Sequence, residues 1–435
     1  MPEPSWAWAR WGWLLLWAGG TAAAVVLTTP WEWLPRGSLP ATDPGAGLGA
    51  AALARIADYR DAAVPVGLAT TALGLLVSAL LGLTPLGARL VSALPGRRRR
   101  WAHRVLAVAV LLAVGLVATL PLRVAAEHLA RTAGLSTRTW GSWAADVATS
   151  YAVATAVTAA VLLALAATAA RVRHWELPVS LGAGALVLIG SLAYPVVIEP
   201  LYASFTPMQP GPLRTSLIEL GSRDGIDVDQ VLVADASRRT SAVNAYVSGF
   251  GPTRRIVVYD TLVAQAPPRE VRLVVAHELG HATSDDVLRG TLVGSAAAVA
   301  GATALSLLAG SSTLRRRSGL PAAGGDVSDP ARHTVTAVAG VPLLLALSAL
   351  GSFAVLPLTN AMSRSIEARA DLHALELTDA PGGFVAMQRR LASTNLSDPS
   401  PPAWRQLWFA THPSPAQRIA LAQGWVRLHH AGVDP

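Results

Sequence analysis

The stretch VVAHELGHATSDD, residues 274–286, decides what kind of fold and chemistry this chain can have. Two histidines, His277 and His281, lie four residues apart, and Glu278 directly follows the first. A proline pair marks a helix start just upstream, and no helix breaker follows before His281, so the stretch is predicted to be helical. At about 3.6 residues per turn, the two histidines share one face and can direct ring nitrogens at one zinc ion. Glu278 lies beside them, where it can accept a proton from water.

The composition places this helix in a membrane protein. Of 435 residues, 52% are hydrophobic and only 14% are charged, and the mean hydropathy is +0.42, which excludes an ordinary soluble enzyme. The net charge of +8 comes from arginine alone, because the chain contains no lysine, and we do not infer nucleic-acid binding from it. With no cysteine, a metal can be bound only by histidines and carboxylates.

Apolar stretches long enough to cross a bilayer recur along the chain. A spanning helix needs about 20 residues, and seven stretches satisfy this, at residues 11–29, 64–86, 104–125, 151–171, 178–199, 290–310 and 335–358. The first could be a cleaved signal peptide, but a tryptophan cluster around it is typical of an interfacial anchor, so we favour an uncleaved span. The sequence therefore predicts a multi-pass protein embedded in the lipid bilayer.

Two segments between and after these spans have a different, more polar pattern. We divide the chain into residues 1–200, a membrane region with about five spans; 201–289, a catalytic segment; 290–358, two spans with a loop; and 359–435, a second catalytic segment. In the first catalytic segment DQVLVADAS, NAYVSGF and RRIVVYD are predicted to be short strands, followed by the HELGH helix.

A third metal ligand is expected on another element. The segment NAMSRSIEARADLHALE, residues 360–376, has a helical pattern in which Glu367 and Asp371 lie four residues apart on one face. One of them can ligate zinc while the other hydrogen-bonds a ligating histidine. His373 points to another side of this helix and is not expected to be a ligand. A carboxylate pair at this spacing is common on exposed helices. It is a candidate for metal binding here only because the HELGH helix is present in the same chain.

Four segments in this order, SAVNAYVSGFGPTRRIVVYDTL, HELGH, SRSIEARAD and THPSPAQRI, resemble the integral-membrane type I CAAX prenyl proteases and the related HtpX-like proteases. The resemblance covers about residues 100–425. It implies a mostly α, seven-helix membrane protein with a zincin-like (gluzincin) α+β catalytic domain built from two segments. It also implies one zinc per chain and roles for seven residues: His277, His281 and Glu367 as ligands, Glu278 as base, Asp371 and Asp286 in support, and Asn244 on a strand at the cleft.

Three further residues are candidates from their positions. His412, in THPSP, is the first choice as a donor to the oxyanion that forms during peptide hydrolysis. Arg418 follows at helical spacing and could hold a substrate carboxylate or pair with a nearby acid. Asn244 and Tyr246 are expected on one side of a strand whose edge a substrate could extend; an interior strand is the alternative.

The function these features favour is a membrane-embedded zinc metalloendopeptidase that cleaves membrane-associated proteins or peptides. Quality-control proteolysis, as in HtpX-like members, and a non-catalytic scaffold or transporter with structural zinc are the alternatives. The run TSAVNAY lacks the polar residues of eukaryotic CAAX proteases, which leaves a prenylated substrate in question. Oligomeric state is left open.

The side of the membrane on which the site lies is also open. We expect the protein in the cell (plasma) membrane. Arginine-rich loops at 87–104, 172–177 and 311–334 favour a cytoplasmic amino terminus with the site outside, by the positive-inside rule. The family resemblance implies a cytosol-facing site instead.

Overall fold

The structure is a computed structural model that describes residues 4–34, 37–41, 43, 45–96, 98–201, 203–226, 228, 230–248, 255–320 and 329–429. The residues outside this set include 321–328 in the arginine-rich loop 311–334, residue 97 in loop 87–104, and positions 229, 249, 250 and 254 of the predicted strands. The helices, in chain order, are α1 Pro4–Thr28, α2 Ala50–Leu83, α3 Pro85–Ala93, α4 Arg100–Thr132, α5 Trp140–Arg171, α6 Glu176–Ala193, α7 Pro212–Arg223, α8 Asp260–Gln265, α9 Pro268–Thr283, α10 Asp286–Ala309, α11 Ser312–Arg317, α12 Pro330–Thr336, α13 Val341–Thr378, α14 Pro381–Thr394, α15 Ala403–Phe409 and α16 Pro415–His429.

Seven helices in the described part of the chain are long and apolar enough to cross a membrane, which confirms the predicted number of spans. They are α1, α2, α4, α5, α6, α10 and α13. Several continue well beyond the apolar stretch that identified them: α2 begins at Ala50 rather than near residue 64, and α13 extends to Thr378. Polar helical turns are invisible to a hydropathy criterion, and here these turns carry the residues that reach the site.

Close contact between α2 and α13 depends on glycine. A Cβ at Gly82 would overlap the side chain of Ala346 and the backbone of Pro342 on α13. Because glycine has no Cβ, the two helix backbones can approach at this point, as small residues allow in membrane bundles. This contact fixes the membrane part of α13 against α2, and both helices continue from it toward the catalytic segments.

A four-stranded sheet precedes the HELGH helix. The strand order is β1-β2-β4-β3, with β1 Phe205–Pro207 antiparallel to β2 Gln230–Ala234, β2 parallel to β4 Arg255–Tyr259, and β4 antiparallel to β3 Ala245–Ser248. The three predicted strands are β2, β3 and β4, whereas β1, only three residues long, was not predicted. Among the described residues β3 lies at an edge of the sheet, as the substrate-extension hypothesis requires, and not in its interior.

One hydrophobic core joins the two catalytic segments. It contains Val275 of α9, Ile256 of β4, Phe384 of α14 and Trp425 of α16, all buried. The opposite face of the sheet has its own small cluster around Val257. Burial of apolar side chains from both segments in a common core is what brings α13, from the carboxyl-terminal half, against α9.

Candidate active site

Helix α9 presents the HELGH motif from a largely buried position. Pro267 at its N-cap and Pro268 at its first position start the helix. His277 is buried and Glu278 is half-buried. Gly280, between Glu278 and His281 in the motif, faces the ring of His373 on α13, and a Cβ there would lie 3.0–3.1 Å from three atoms of that side chain. The glycine therefore lets α9 and α13 pack closely enough for their side chains to meet.

The three predicted ligands converge. His277 Nε2 lies 3.1 Å from Glu367 Oε2, His281 Nε2 lies 3.6 Å from Glu367 Oε1, and the two Nε2 atoms are 3.3 Å apart. One donor atom from each residue lies within 4.8 Å of the others. Two nitrogens bound tetrahedrally at about 2.0–2.1 Å are roughly 3.3 Å apart. The spacing and chemistry of this donor set therefore fit a zinc-type ion.

An inner triad, defined as His277, Asp371 and Arg418, supports the first histidine. His277 Nδ1 lies 2.9 Å from Asp371 Oδ1, and Arg418 Nε donates to Asp371 Oδ2 at 2.7 Å with a second bond from Nη2 to Oδ1. Asp371 is fully buried. A proton held on Nδ1 by the carboxylate leaves the Nε2 lone pair for a metal. The second expectation for Arg418, pairing with an acid, is the one seen.

An outer triad, defined as His281, Asp286 and Arg369, repeats the arrangement. His281 Nδ1 lies 2.9 Å from Asp286 Oδ2, and Arg369 Nη2 donates to Asp286 Oδ1. Asp286 is the first residue of α10, reached by a left-handed turn at Asp285 with a φ of 50°. Arg369 was not predicted from the sequence. It lies 83 residues from its partner, and no local spacing rule connects the two positions.

The surroundings of His277 and Glu278 shift the pKa values of both side chains upward. Burial alone would lower the pKa of His277, but hydrogen bonds with Asp371 and Glu367 outweigh it and raise this pKa to about 10. Metal binding must therefore displace a proton, so metal affinity falls as the pH is lowered. Burial raises the pKa of Glu278, which makes its carboxylate a stronger base. That carboxylate has no hydrogen-bond partner among the residues that the structure describes.

His412 lies on the open side of this group. Its Nε2 is 3.3 Å from Glu367 Oε1, its Nδ1 is 2.8 Å from the Thr411 hydroxyl, and 58% of its side chain is exposed. His412 is exposed beside the predicted ligands and can reach a substrate in the cleft, so its role as an oxyanion donor stays a prediction with favourable geometry.

A cleft of about 960 Å³ extends from His412 and Arg418 to helix α2. Asn244, just before β3, lines it, as does Tyr259, whose backbone N–H donates to the Asn244 carbonyl at 3.0 Å. One face of α2 forms the opposite wall, contributing Tyr59, Arg60, Ala63, Val64, Gly67, Leu68 and Thr71.

Tyr246 was expected to bind substrate together with Asn244, and the structure places it outside the cleft. Its ring packs edge-on against Tyr259 in the cluster on the sheet face away from α9, and its hydroxyl donates to Glu199. Tyr246 does not line the cleft. The side chain of Asn244 hydrogen-bonds Tyr259, whose ring contacts Tyr246, so residues 244 and 246 do share one side of the strand; the cleft reaches only the Asn244 end of it.

His373 is not part of the converging group, in agreement with its expected position on α13. Its Nε2 lies 2.9 Å from Asp224 Oδ1, and Thr283 at the end of α9 donates to Asp224 Oδ2 at 2.7 Å. Asp224, the C-cap of α7, thus joins three helices around the site. Asp224 was not predicted from the sequence, because no motif around position 224 relates it to the HELGH helix or to α13.

Family models match both parts of the chain. The model described as "Peptidase family M48" matches residues 213–426, and "CAAX prenyl protease N-terminal, five membrane helices" matches residues 48–204. The second match ends just before the sheet, and the first contains both triads. Together they cover most of the membrane region and most of the two catalytic segments, but not α1.

Individual relatives agree. The "Uncharacterized metalloprotease YhfN" of Bacillus subtilis (strain 168) is 30% identical over 344 residues, 77% of this chain and 78% of that protein. The "CAAX prenyl protease 1 homolog" of Oryza sativa subsp. japonica is 32% identical over 248 residues, 55% of this chain and 53% of that protein. The crystal structure of S. mikatae Ste24p shares the fold, with a TM-score of 0.75 at 20% identity over 95% of this chain and 98% of that one. On these matches the chain belongs to peptidase family M48 and is an integral-membrane metalloendopeptidase.

Proposed function

We propose that this protein is a zinc endopeptidase in which His277, His281 and Glu367 bind one zinc ion and Glu278 is the catalytic base. The observation that carries the proposal is the convergence of the three donor atoms beside a half-buried carboxylate, next to a cleft that reaches a membrane helix. The catalytic unit is formed by segments 201–289 and 359–435, which share one core.

The zinc ion, when bound, would polarise the scissile carbonyl and lower the pKa of water to about 7. Glu278 would take the proton from the attacking water and later give it to the leaving amine. The raised pKa of Glu278 suits both steps, because the carboxyl group must accept and then release a proton. His412 would donate a hydrogen bond to the substrate oxygen as negative charge develops on it.

A structural zinc in a non-catalytic scaffold is a weaker explanation. A structural site is expected to have four protein ligands. In the part of the chain that the structure describes, the converging group has three. The carboxylate of Glu278, adjacent to the group and without a described partner, also has no role in a structural site.

The substrate is proposed to be a peptide of a membrane-associated protein. Its backbone would extend the sheet at β3, beside Asn244, and its side chains would contact the apolar face of α2 formed by Ala63, Val64 and Leu68. The name of the Oryza sativa relative makes CAAX-type peptides the first substrates to test. We also propose that the protein resides in the plasma membrane.

The decisive experiment replaces Glu278. Purified wild-type protein in detergent is expected to contain about one zinc per chain and to cleave a fluorogenic peptide, whereas Glu278→Gln should keep the zinc and lose activity by at least about a hundredfold. The matched control is Glu376→Gln on α13, an exposed carboxylate, which should behave as wild type. Full activity in Glu278→Gln would disprove the assignment of the base.

A further inference from the structure

Arg60 projects from α2 into the wall of the cleft. It is half-buried, and its Nε donates to the backbone carbonyl of Leu396 at 2.7 Å. Among the described residues no carboxylate forms an ion pair with it, and its terminal nitrogens, Nη1 and Nη2, have no hydrogen-bond partner. The neighbouring acids in sequence, Asp58 and Asp61, are exposed and do not line the cleft.

The other cleft-lining arginines are neutralised. Arg405 donates to Asp398, and Arg418 donates to Asp371. Arg60 is therefore the arginine of the described cleft lining whose charge has no counter-ion. One backbone hydrogen bond and the ring of Tyr59, whose centroid lies 5.8 Å from the guanidinium carbon, replace only part of the hydration that this half-buried guanidinium loses. Such a group is stabilised when an anion enters the cleft.

The position of Arg60 is fixed by an unusual turn. Leu396 is buried and adopts a φ of 47°, a left-handed conformation rarely taken by residues other than glycine. Asn395, directly before it, holds the backbone of Val243 through bonds of 3.1 Å from Val243 N and 3.4 Å to Val243 O. One turn thus joins Arg60 on one side to the residue preceding Asn244 on the other. Strained turns of this kind persist where surrounding contacts hold them and are frequent at functional sites.

We propose that Arg60 is a specificity-determining residue that binds a carboxylate of the peptide substrate. This rests on the proposed function, because it places the peptide along β3, opposite the wall that carries Arg60. An unmodified peptide has only two kinds of anion, its C-terminal carboxylate and its acidic side chains. A guanidinium can donate two parallel hydrogen bonds to either, and a cleft partly shielded from water strengthens them.

The test uses three peptides that are identical up to the last residue: one with a neutral last residue and a free C-terminal carboxylate, the same peptide amidated, and an amidated peptide with glutamate as its last residue. For wild-type protein, kcat/KM for at least one carboxylate peptide should exceed that for the neutral amide by about tenfold to a hundredfold. A preference for the first peptide identifies the terminal carboxylate as the ligand, and a preference for the third identifies a side chain. Equal rates for all three would overturn the proposal.

Substitutions then assign the preference to Arg60. Arg60→Met should reduce the ratio of carboxylate to amide peptide to about one, and Arg60→Lys should restore part of it. Arg55→Met, an exposed arginine on the same helix and outside the cleft lining, should retain the wild-type ratio. A purely structural role of Arg60 would lower the rates for all peptides together and leave the ratio unchanged, which would contradict the proposal.

Binding separates this inference from the catalytic one. Fluorescence anisotropy with labelled peptides and the Glu278→Gln variant measures affinity without cleavage. If the carboxylate peptide binds Glu278→Gln more tightly but wild-type protein cleaves no peptide, the catalytic proposal fails and the role of Arg60 stands. If cleavage occurs and neither affinity nor kcat/KM depends on the carboxylate, the role of Arg60 fails alone.

Discussion

The inner and outer triads use the same three residue types in the same order, but differ in solvent exposure. In the inner triad Asp371 is 0% and Arg418 12% exposed, whereas in the outer triad Asp286 is 10% and Arg369 27% exposed. The inner carboxylate also has two bonds from its arginine, through Nε and Nη2. A charge pair away from water is screened less, so the inner triad should constrain its histidine more strongly.

This difference shows why two triads of the same residue types need not hold their histidines equally strongly. Burial works against the charge of Arg418, and the carboxylate of Asp371 more than offsets it, so the pKa of Arg418 is raised. Removing one partner of such a buried pair leaves an uncompensated charge. The outer triad can exchange part of its hydrogen bonding with water, and its loss should be milder.

The largest effect is expected from Glu367, whose carboxylate approaches both histidines. Glu367→Ala removes a proposed ligand that contacts the histidines of both triads and should abolish zinc retention after dialysis, because two histidines alone bind the ion weakly. Zinc content measured by atomic absorption checks this. Glu376→Ala, nine residues along the same helix and exposed, should retain its zinc. Equal zinc content in both variants would remove Glu367 from the site.

An intermediate effect should distinguish the two triads. Asp371→Asn and Asp286→Asn each keep the shape of the side chain but weaken the bond to a histidine Nδ1. Zinc affinity should fall by about a hundredfold for Asp371→Asn and about tenfold for Asp286→Asn, the two ends of the usual range. Competition with a fluorescent chelator measures both. If the order is reversed, burial does not set the strength of these contacts.

The smallest effect is expected from the two arginines, which hydrogen-bond the carboxylates of the triads. Arg418→Met and Arg369→Met leave both histidine–carboxylate contacts in place, so zinc affinity should change by less than about tenfold in each. The loss should be larger for Arg418→Met, whose partner is fully buried. The same chelator competition applies, and an Arg369→Met variant that loses more zinc than Arg418→Met would contradict the comparison.

The sequence predicted the parts of the site that depend on local periodicity. His277 and His281 share a face of α9, and Glu367 and Asp371 share a face of α13, as helical spacing requires. The seven spans followed from hydropathy. Asp286 was predicted from the family resemblance and not from helical spacing, because it lies beyond the turn that ends α9.

Contacts made across the fold could not be predicted in this way. Arg369 meets Asp286, and Arg60 meets Leu396, at separations of 83 and 336 residues. Asp224 likewise reaches His373 only because α7 packs on α9. Tyr246 was placed in the cleft because strand alternation gives the side on which a residue lies but not how far along β3 the cleft extends. In each case the partner is chosen by packing between distant segments, which no single helix or strand pattern contains.

Helix α13 connects the membrane region to the candidate active site as one continuous helix. It runs from Val341 through the seventh span to Thr378 and carries Glu367 and Asp371 in its last turns, while the two histidines stand on the separate, short α9. A spanning helix changes its tilt to match the thickness of the surrounding hydrocarbon. A tilt of α13 would move the proposed ligand Glu367 relative to the histidines of α9, so the chain length of the surrounding lipid is expected to affect the proposed metal site as well as the anchoring of the protein.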